Sequence, residues 1–208
     1  MKEIRIYVEG GGDGKESKAT FRQGMSEFLS EIIKLARSQT IGWTLVACGS
    51  RNDAFRNFQT ALRTHPDAFN LLLVDAEDRI TGNSIWQHLQ NRDSWNMTHI
   101  NETQCHLMVE VMENWLLADV DALAQFYGQN FNRSAIPTIQ NVESISKSNV
   151  ETALTNATCR TQKGEYRKIQ HGAKLLGLVS VPIVRSRAPY CDRLFITLTN
   201  FIDPPPPE

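Results

Sequence analysis

Two acidic segments each follow an apolar run that is typical of a buried strand. Glu9 comes directly after Ile4–Val8, and the segment Asp75–Asp78 ends the apolar run that begins at Asn70. The carboxyl ends of parallel strands meet at one edge of a sheet, so these acids should converge although they are far apart in sequence. Hard oxygen ligands suit Mg²⁺ or Mn²⁺ better than zinc, and a cation would offset the repulsion between the carboxylates. The sequence therefore predicts a divalent-metal site formed by Glu9, Asp75, Glu77 and Asp78.

Three glycines, Gly10, Gly11 and Gly12, follow Glu9. Glycine accepts positive φ angles and lets a substrate phosphate approach the backbone closely, with the N terminus of the next helix nearby. Asp13 is then either a further ligand at the substrate site or an acid that favours the start of that helix. The alternative for all of these acids is that they are ordinary loop residues, which are common where strands end.

Basic residues that could complete the site lie in two places. Arg51 follows the second predicted strand, where it could clamp a phosphate bidentately or belong to a helix-capping turn. The densest basic stretch covers residues 160–174, in which Lys168 and His171 have helical spacing and should share a face. There Lys168 could offset charge on a phosphorus, and His171 could act as a base or proton donor. Lys163 is a candidate substrate contact, and a solvated helix face is the alternative for the whole stretch.

Glu110 stands inside the fourth apolar run, near its carboxyl end. A buried carboxylate requires a partner. We expect Glu110 to pair structurally with Arg51 or Lys168, and the alternative is that it binds the metal.

Apolar periodicity predicts the elements that must position these residues. Four strands are predicted at Ile4–Val8, Trp43–Cys48, Asn70–Asp75 and His106–Met112, with a further short strand at Val181–Val184. Helices are predicted at Ser17–Arg37, Asp53–Arg63, Ser84–Asn91, Glu113–Tyr127 with a break near Asp119, Val142–Asn156, Glu165–Leu178 and Pro189–Ile202. This alternation implies an α/β fold with a doubly wound, mostly parallel sheet of four or five strands, flanked by helices and followed by a helical C-terminal portion.

Length and composition favour one cytoplasmic domain. The chain has 208 residues, which we divide into a core of residues 1–127, a helical extension of residues 128–203 and a proline-rich tail of residues 204–208. Its net charge of -1 excludes a bulk attraction to nucleic acid but not a local basic patch. The four cysteines are scattered without metal-ligand spacing, as expected of reduced thiols in the cytoplasm. We expect no membrane contact, since no apolar run approaches the roughly 18 to 20 residues that cross a bilayer.

The ordered motifs resemble a known superfamily. A strand that ends in Glu-Gly, and a later strand with a D-x-D-like pair, resemble the Toprim domain of topoisomerases, primases and overcoming-lysogenization-defect nucleases, in which these acids bind Mg²⁺ for phosphoryl transfer. Nearly the whole chain is similar to a family of small, stand-alone bacterial Toprim relatives, through Val8–Asp13, Ala47–Asn52, Leu73–Asp78, Met112–Asp119 and Lys163–Tyr166 with Lys168 and His171. The second acidic position is Glu77 rather than aspartate, with Asp78 adjacent, which leaves open which of the two binds the metal.

The resemblance implies a metal-dependent nuclease in which Glu9, Lys168 and His171 carry the catalysis. Similar small Toprim proteins act beside ABC-type ATPases as effector nucleases in phage-defence modules. The resemblance therefore implies DNA or RNA, tRNA included, as substrate and an ABC-type ATPase as partner, and it leaves a homo-oligomer open. Two other hypotheses remain: a non-catalytic partner or sensor of an ATPase with a degenerate metal site, which the departure at Glu77 favours, and a phosphohydrolase of small nucleotides.

Overall fold

In the computed structural model, which describes residues 2–82, 84–96 and 100–205, four parallel strands form one sheet. The strands are β1 (Glu3–Glu9), β2 (Gly42–Gly49), β3 (Phe69–Asp75) and β4 (Cys105–Met108). Their order is β2-β1-β3-β4, and every neighbouring pair is parallel. The central strand β3 is buried along nearly its whole length, as a continuous apolar run covered on both faces should be. The predicted α/β fold with a parallel sheet is confirmed, with four strands.

Helices cover both faces of the sheet. In the described part of the chain they are α1 (Lys15–Phe28), α2 (Ser30–Ser38), α3 (Arg51–Thr64), α4 (Ile85–Asp93), α5 (Glu113–Ala118), α6 (Val120–Tyr127), α7 (Lys147–Thr158), α8 (Ala173–Leu176), α9 (Val181–Arg187) and α10 (Pro189–Ile202). One face packs on α3 and α4 through a cluster that includes Phe58 and Leu89. The other eight helices build the larger core around Phe28, Trp115 and Phe195. The predicted helical C-terminal portion is thus present and contributes to the larger core.

Two predicted elements near the site are divided or shortened. The predicted helix Ser17–Arg37 is two helices that meet at Leu29, because α1 packs against α8 whereas α2 packs against α10. The predicted strand His106–Met112 ends at Met108. Its last ladder partner is Asp75, the end of β3, and beyond this pair the Glu77 amide bonds the carbonyl oxygen of Glu110 outside the regular register.

Two predictions in the C-terminal half are wrong. The segment Val181–Val184 is not a strand but the start of α9, with Pro182 in its first turn, a position that proline tolerates. A four-residue apolar run does not distinguish a strand from one side of a helix. The predicted helix Val142–Asn156 begins only at Lys147, because the side-chain amide of Asn114 binds two carbonyl oxygens of the segment that precedes it.

The predicted helix Glu165–Leu178 is a π-helical turn, Lys168–Gly172, followed by the short α8. The residues before the turn are not helical, since the Tyr166 amide donates a hydrogen bond to the Thr158 hydroxyl. Lys168 and His171 therefore do not share one face of a regular α-helix, contrary to the prediction.

Other expectations are met. The chain breaks at Asp119 between α5 and α6, and its carboxylate accepts hydrogen bonds from the amides of Ala122 and Ser180. All four cysteines are free thiols. Within the described ranges, no helix is both long and apolar enough to cross a membrane. Of the predicted proline-rich tail, residues 206–208 lie outside the described residues.

Gly24 lies where α1 touches α8 most closely, and it provides a test of this packing. A Cβ atom at Gly24 would lie 1.9 Å from the carbonyl oxygen of Ala173. Helix propensity alone favours alanine over glycine by about 1 kcal/mol. We expect Gly24→Ala instead to lower the free energy of unfolding by about 2 kcal/mol or more, measured by urea denaturation, because the site is overpacked. Arg22→Ala, at an exposed position of α1, should change it by about 0.5 kcal/mol or less; equal effects of the two substitutions would contradict the packing.

Candidate metal centre

Three carboxylates converge at the carboxyl edge of the sheet. Glu9 is the last residue of β1, Asp75 is the last residue of its neighbour β3, and Glu77 follows in the next loop. Each offers one oxygen, and these three oxygens all lie within 4.8 Å of one another. The structure thus brings together three of the four predicted ligands. The fourth, Asp78, lies outside the group, with a largely exposed side chain 3.6 Å from Arg92.

Glu9 and Asp75 are held close together despite their charges. Glu9 Oε2 accepts a hydrogen bond from the Asp75 amide at 3.0 Å and lies 3.4 Å from Arg51 Nη1. The two oxygens of Asp75 accept hydrogen bonds from the Met112 amide at 2.8 Å and from Lys168 Nζ at 3.1 Å. Burial, followed by the charge of Asp75, raises the pKa of Glu9 to about 7. Burial raises the pKa of Asp75 to about 6 although Lys168 opposes it. A nearby cation would therefore stabilise both charged forms.

The loop that carries Glu77 is fixed by hydrogen bonds to its backbone. The Glu77 amide donates to the carbonyl oxygen of Glu110 at 2.7 Å, and Glu77 itself has a φ of 69°. The ring of His88 bonds the carbonyl oxygen of Ala76 at 3.1 Å, and its other nitrogen accepts from the Thr81 amide at 3.2 Å. This backbone conformation turns Glu77, rather than Asp78, toward Glu9 and Asp75.

Lys147 neutralises Glu77. Its ammonium lies 2.5 Å from Glu77 Oε2. Burial opposes ionisation of Glu77, but the Lys147 contact outweighs it and holds the pKa of Glu77 below its ordinary value. The Lys147 amide in turn donates to the carboxylate of Glu110 at 2.8 Å. Glu110 therefore has the expected structural role, although its partner is a backbone amide rather than Arg51 or Lys168.

The glycine turn after Glu9 needs its glycines. Gly10, Gly11 and Gly12 have φ angles of 133°, 87° and 62°, which L-amino acids with side chains rarely adopt. A Cβ atom at Gly10 would lie 2.5 Å from the ring of Phe21, and one at Gly11 would lie 2.9 Å from the Cα atom of Lys18. The turn and the three carboxylates together line a cavity of about 250 Å³. The glycines therefore let the turn pack closely on α1, and the approach of a substrate phosphate to this backbone stays a prediction.

Lys168 enters the same cavity from the π-helical turn. Its ammonium contacts Asp75 Oδ2 at 3.1 Å and Glu113 Oε2 at 3.3 Å. Burial tends to lower the pKa of Lys168, but the charges of Asp75 and Glu113 outweigh it and raise the pKa above its ordinary value. The other oxygen of Glu113 accepts a hydrogen bond from the Tyr166 hydroxyl at 2.9 Å. Lys168 therefore belongs to the candidate centre, as predicted, with a positive charge.

Arg51 contacts Glu9 and is itself held by Asp93. Its guanidinium binds both carboxylate oxygens of Asp93, at 2.8 and 2.7 Å, and lies 5.0 Å from the ring centroid of Trp95. Only 12% of its side chain is exposed. Ser50 caps α3 by accepting a hydrogen bond from the Asp53 amide, as the alternative interpretation of this segment predicted. The geometry favours a role for Arg51 in positioning Glu9 over the predicted phosphate clamp.

Three further candidates lie apart from the three carboxylates. His171 Nδ1 is 3.0 Å from the Tyr127 hydroxyl and accepts from the Arg167 amide at 3.2 Å, in an aromatic environment. Burial lowers the pKa of His171. Lys163 lies over the ring of Phe126 at 5.3 Å, and Asp13 is exposed just before α1. None of the three lines the cavity that contains the carboxylates.

Sequence reasoning missed Lys147 and His88, and it gave Glu113 no role. Glu113 begins α5 a few residues after β4, and an acid so close to the carboxyl end of a strand was a usable signal. No such signal identified Lys147, because it lies 70 residues from Glu77 in a stretch with no motif. His88 acts only through the backbone of the loop, and sequence spacing does not reveal such contacts.

Glu9→Gln tests the cost of the buried charge. The pKa of Glu9 is about 7 in the folded chain against an ordinary value of 4.5, so the folded state holds the proton more tightly. The free energy of unfolding should therefore fall as the pH rises from about 4.5 to 7. At pH 8 without divalent metal, we expect Glu9→Gln to be more stable than the wild type by on the order of 1–3 kcal/mol. Thermal unfolding at pH 8 and pH 4.5 measures this, and the gain should be absent at the lower pH. A variant less stable than the wild type at pH 8 would be inconsistent with this electrostatic account.

Two neighbouring acids provide a matched test of the ligand set. Glu77→Gln removes a carboxylate of the group, so Mn²⁺ binding measured by isothermal titration calorimetry should weaken by about tenfold or more. Asp78→Asn changes an exposed carboxylate outside the group and should leave the affinity unchanged. The reverse order of effects would assign the second acidic position to Asp78.

Comparison of the chain with known proteins identifies the family to which it belongs. No curated protein and no solved structure matches the chain. A family model described as a domain of unknown function, DUF4276, matches residues 8–199. The match includes the acidic turn, the loop after β3 and the C-terminal helices up to α10. The chain therefore belongs to the DUF4276 family.

Proposed function

We propose that the protein is a divalent-metal-dependent nuclease that hydrolyses phosphodiester bonds in DNA or RNA. The observation that carries this proposal is the convergence of Glu9, Asp75 and Glu77 beside a turn without side chains. Ligands of parallel α/β sheets bind at this edge. A cluster of acids alone would repel a phosphate, so the arrangement suits a phosphate substrate only when a cation lies between them.

The donor set fits Mg²⁺ or Mn²⁺. All three groups are carboxylates, and no histidine or cysteine of the described residues joins them. Burial raises the pKa values of Glu9 and Asp75, and a bound cation would favour the charged forms of both. A bound divalent ion would supply Lewis-acid activation of water and of a phosphoryl oxygen.

The protein's own groups prepare a place for the phosphodiester. The glycine turn lines the cavity, and the ammonium of Lys168, whose side chain is half-exposed, offers positive charge at its wall. Arg51 and the Asp75 amide hold the Glu9 carboxylate in place before substrate arrives. Such preorganisation avoids the cost of reorienting charged groups during the reaction. We assign His171 a positioning role: its hydrogen bond with Tyr127 holds the π-helical turn that also contains Lys168. This role replaces the proton transfer expected from the sequence.

The biological setting in this proposal follows from the Toprim resemblance. A parallel sheet whose first strand ends in Glu9 and whose third strand ends in Asp75 supports this part of the proposal. We extend to this chain the partner implied by the resemblance, an ABC-type ATPase, and a role in phage defence. The net charge of -1 supports delivery of the nucleic acid by a partner, since the chain has no bulk attraction for a polyanion.

One observation favours a second candidate, a non-catalytic subunit of an ATPase. Lys147 already neutralises Glu77, and Lys168 already contacts Asp75, so ion pairs within the chain could hold a degenerate site together. This candidate predicts that the protein neither binds Mn²⁺ at the three carboxylates nor cleaves nucleic acid.

Cleavage assays separate these candidates. Purified protein with Mn²⁺ should cleave at least one of single-stranded DNA, double-stranded DNA, RNA and tRNA. Glu9→Gln and Asp75→Asn should each lower the rate by about a hundredfold or more, because each removes a carboxylate from the centre. The control is Asp67→Asn, at an exposed residue before β3, at the opposite edge of the sheet. If only mononucleotides yield products, the protein is a small-nucleotide phosphohydrolase and not a nuclease. Full activity of both variants would refute the proposed site.

A further inference from the structure

Asp75 belongs to two groups of charged side chains. It forms the group of three carboxylates with Glu9 and Glu77. Its Oδ2 atom also lies 3.1 Å from the ammonium of Lys168, which contacts Glu113 Oε2 at 3.3 Å. Asp75 and Glu113 therefore share one cation, and that cation belongs to the chain itself.

Glu113 is built to face a cation. It is only 5% exposed. The Tyr166 hydroxyl fixes its Oε1 atom, whereas its Oε2 atom receives no hydrogen bond from any described residue. A buried carboxylate oxygen without a donor is costly unless a positive charge stands beside it. Lys168 is the charge that compensates this oxygen.

Lys168 is also placed to face a substrate. Its side chain is 50% exposed although both of its carboxylate partners are buried. It lines the cavity with the glycine turn and a second, adjoining cavity of about 390 Å³ that contains Glu113 and Tyr166. The ammonium thus stands between the two cavities, next to the candidate metal ligands.

We propose that the ammonium of Lys168 takes the place of a second metal ion, so that the centre holds a single divalent cation and uses Lys168 as the other positive charge. Enzymes that act on phosphodiesters with two metal ions share a carboxylate between the ions and stabilise the attacking and leaving oxygens with one each. Here Asp75 is the shared carboxylate, and Lys168 with Glu113 replaces the second ion and its ligand. The inference deepens the proposed nuclease function and rests on it for the catalytic role of Lys168.

The number of bound ions tests the proposal without any assay of activity. Titration of Mn²⁺, followed by electron paramagnetic resonance of the free ion, should give one ion per chain for the wild type. Lys168→Ala uncovers Asp75 and Glu113 and should bind two. The double variant Lys168→Ala with Glu113→Gln should return to one. Lys168→Met, which keeps the volume of the stem, serves the same purpose if the alanine variant does not fold.

Controls and contrary outcomes are defined by the same titration. Lys174→Ala, at an exposed residue of α8, should bind one ion like the wild type. A purely structural role of Lys168 predicts one ion for both Lys168 variants, and that result would overturn the proposal. Two ions in the wild type would overturn it as well, because Lys168 would then not occupy the second place.

A cleavage measurement adds the catalytic consequence. Lys168→Ala should lose about a hundredfold or more of the Mn²⁺-dependent rate at low Mn²⁺ and regain most of it at high Mn²⁺, as the second ion fills the place of the ammonium. The double variant with Glu113→Gln should not be rescued, and rescue of both variants alike would contradict the role of Glu113. Since stoichiometry is measured without substrate, absence of cleavage by the wild type would refute the nuclease and leave the single-cation geometry standing.

Discussion

Repulsion between buried carboxylates is the constraint on which this edge of the sheet depends. Glu9 and Asp75 end adjacent strands, and the charge of Asp75 adds to burial in raising the pKa of Glu9. Each acid of the group forms an ion pair with one basic side chain: Glu9 with Arg51, Glu77 with Lys147 and Asp75 with Lys168. These ion pairs position the acids of the group.

The surrounding elements keep these cations and acids in place. Asp93 on α4 holds Arg51, the carboxylate of Glu110 holds the start of α7 that carries Lys147, and the π-helical turn presents Lys168. The contributions come from both faces of the sheet and from the C-terminal helices. A helical portion that looks like an extension in the sequence is therefore part of the centre.

The sequence was sufficient for features set by strands and insufficient for features set by loops. Continuous apolar runs that end in acids located β1 and β3, and the parallel topology then placed Glu9 and Asp75 together. The choice between Glu77 and Asp78 depended on a positive φ angle and on bonds from His88, which spacing does not encode. The strand predicted at Val181–Val184 failed because four apolar residues suit either element, and tertiary packing decided for a helix.

Anomalous diffraction from crystals grown with Mn²⁺ tests the metal centre most directly. The account predicts one strong peak per chain, bounded by carboxylate oxygens of Glu9, Asp75 and Glu77, with the ammonium of Lys168 still beside Asp75 and Glu113. Absence of a peak at this edge of the sheet, in crystals with saturating Mn²⁺ and an ordered glycine turn, would contradict it.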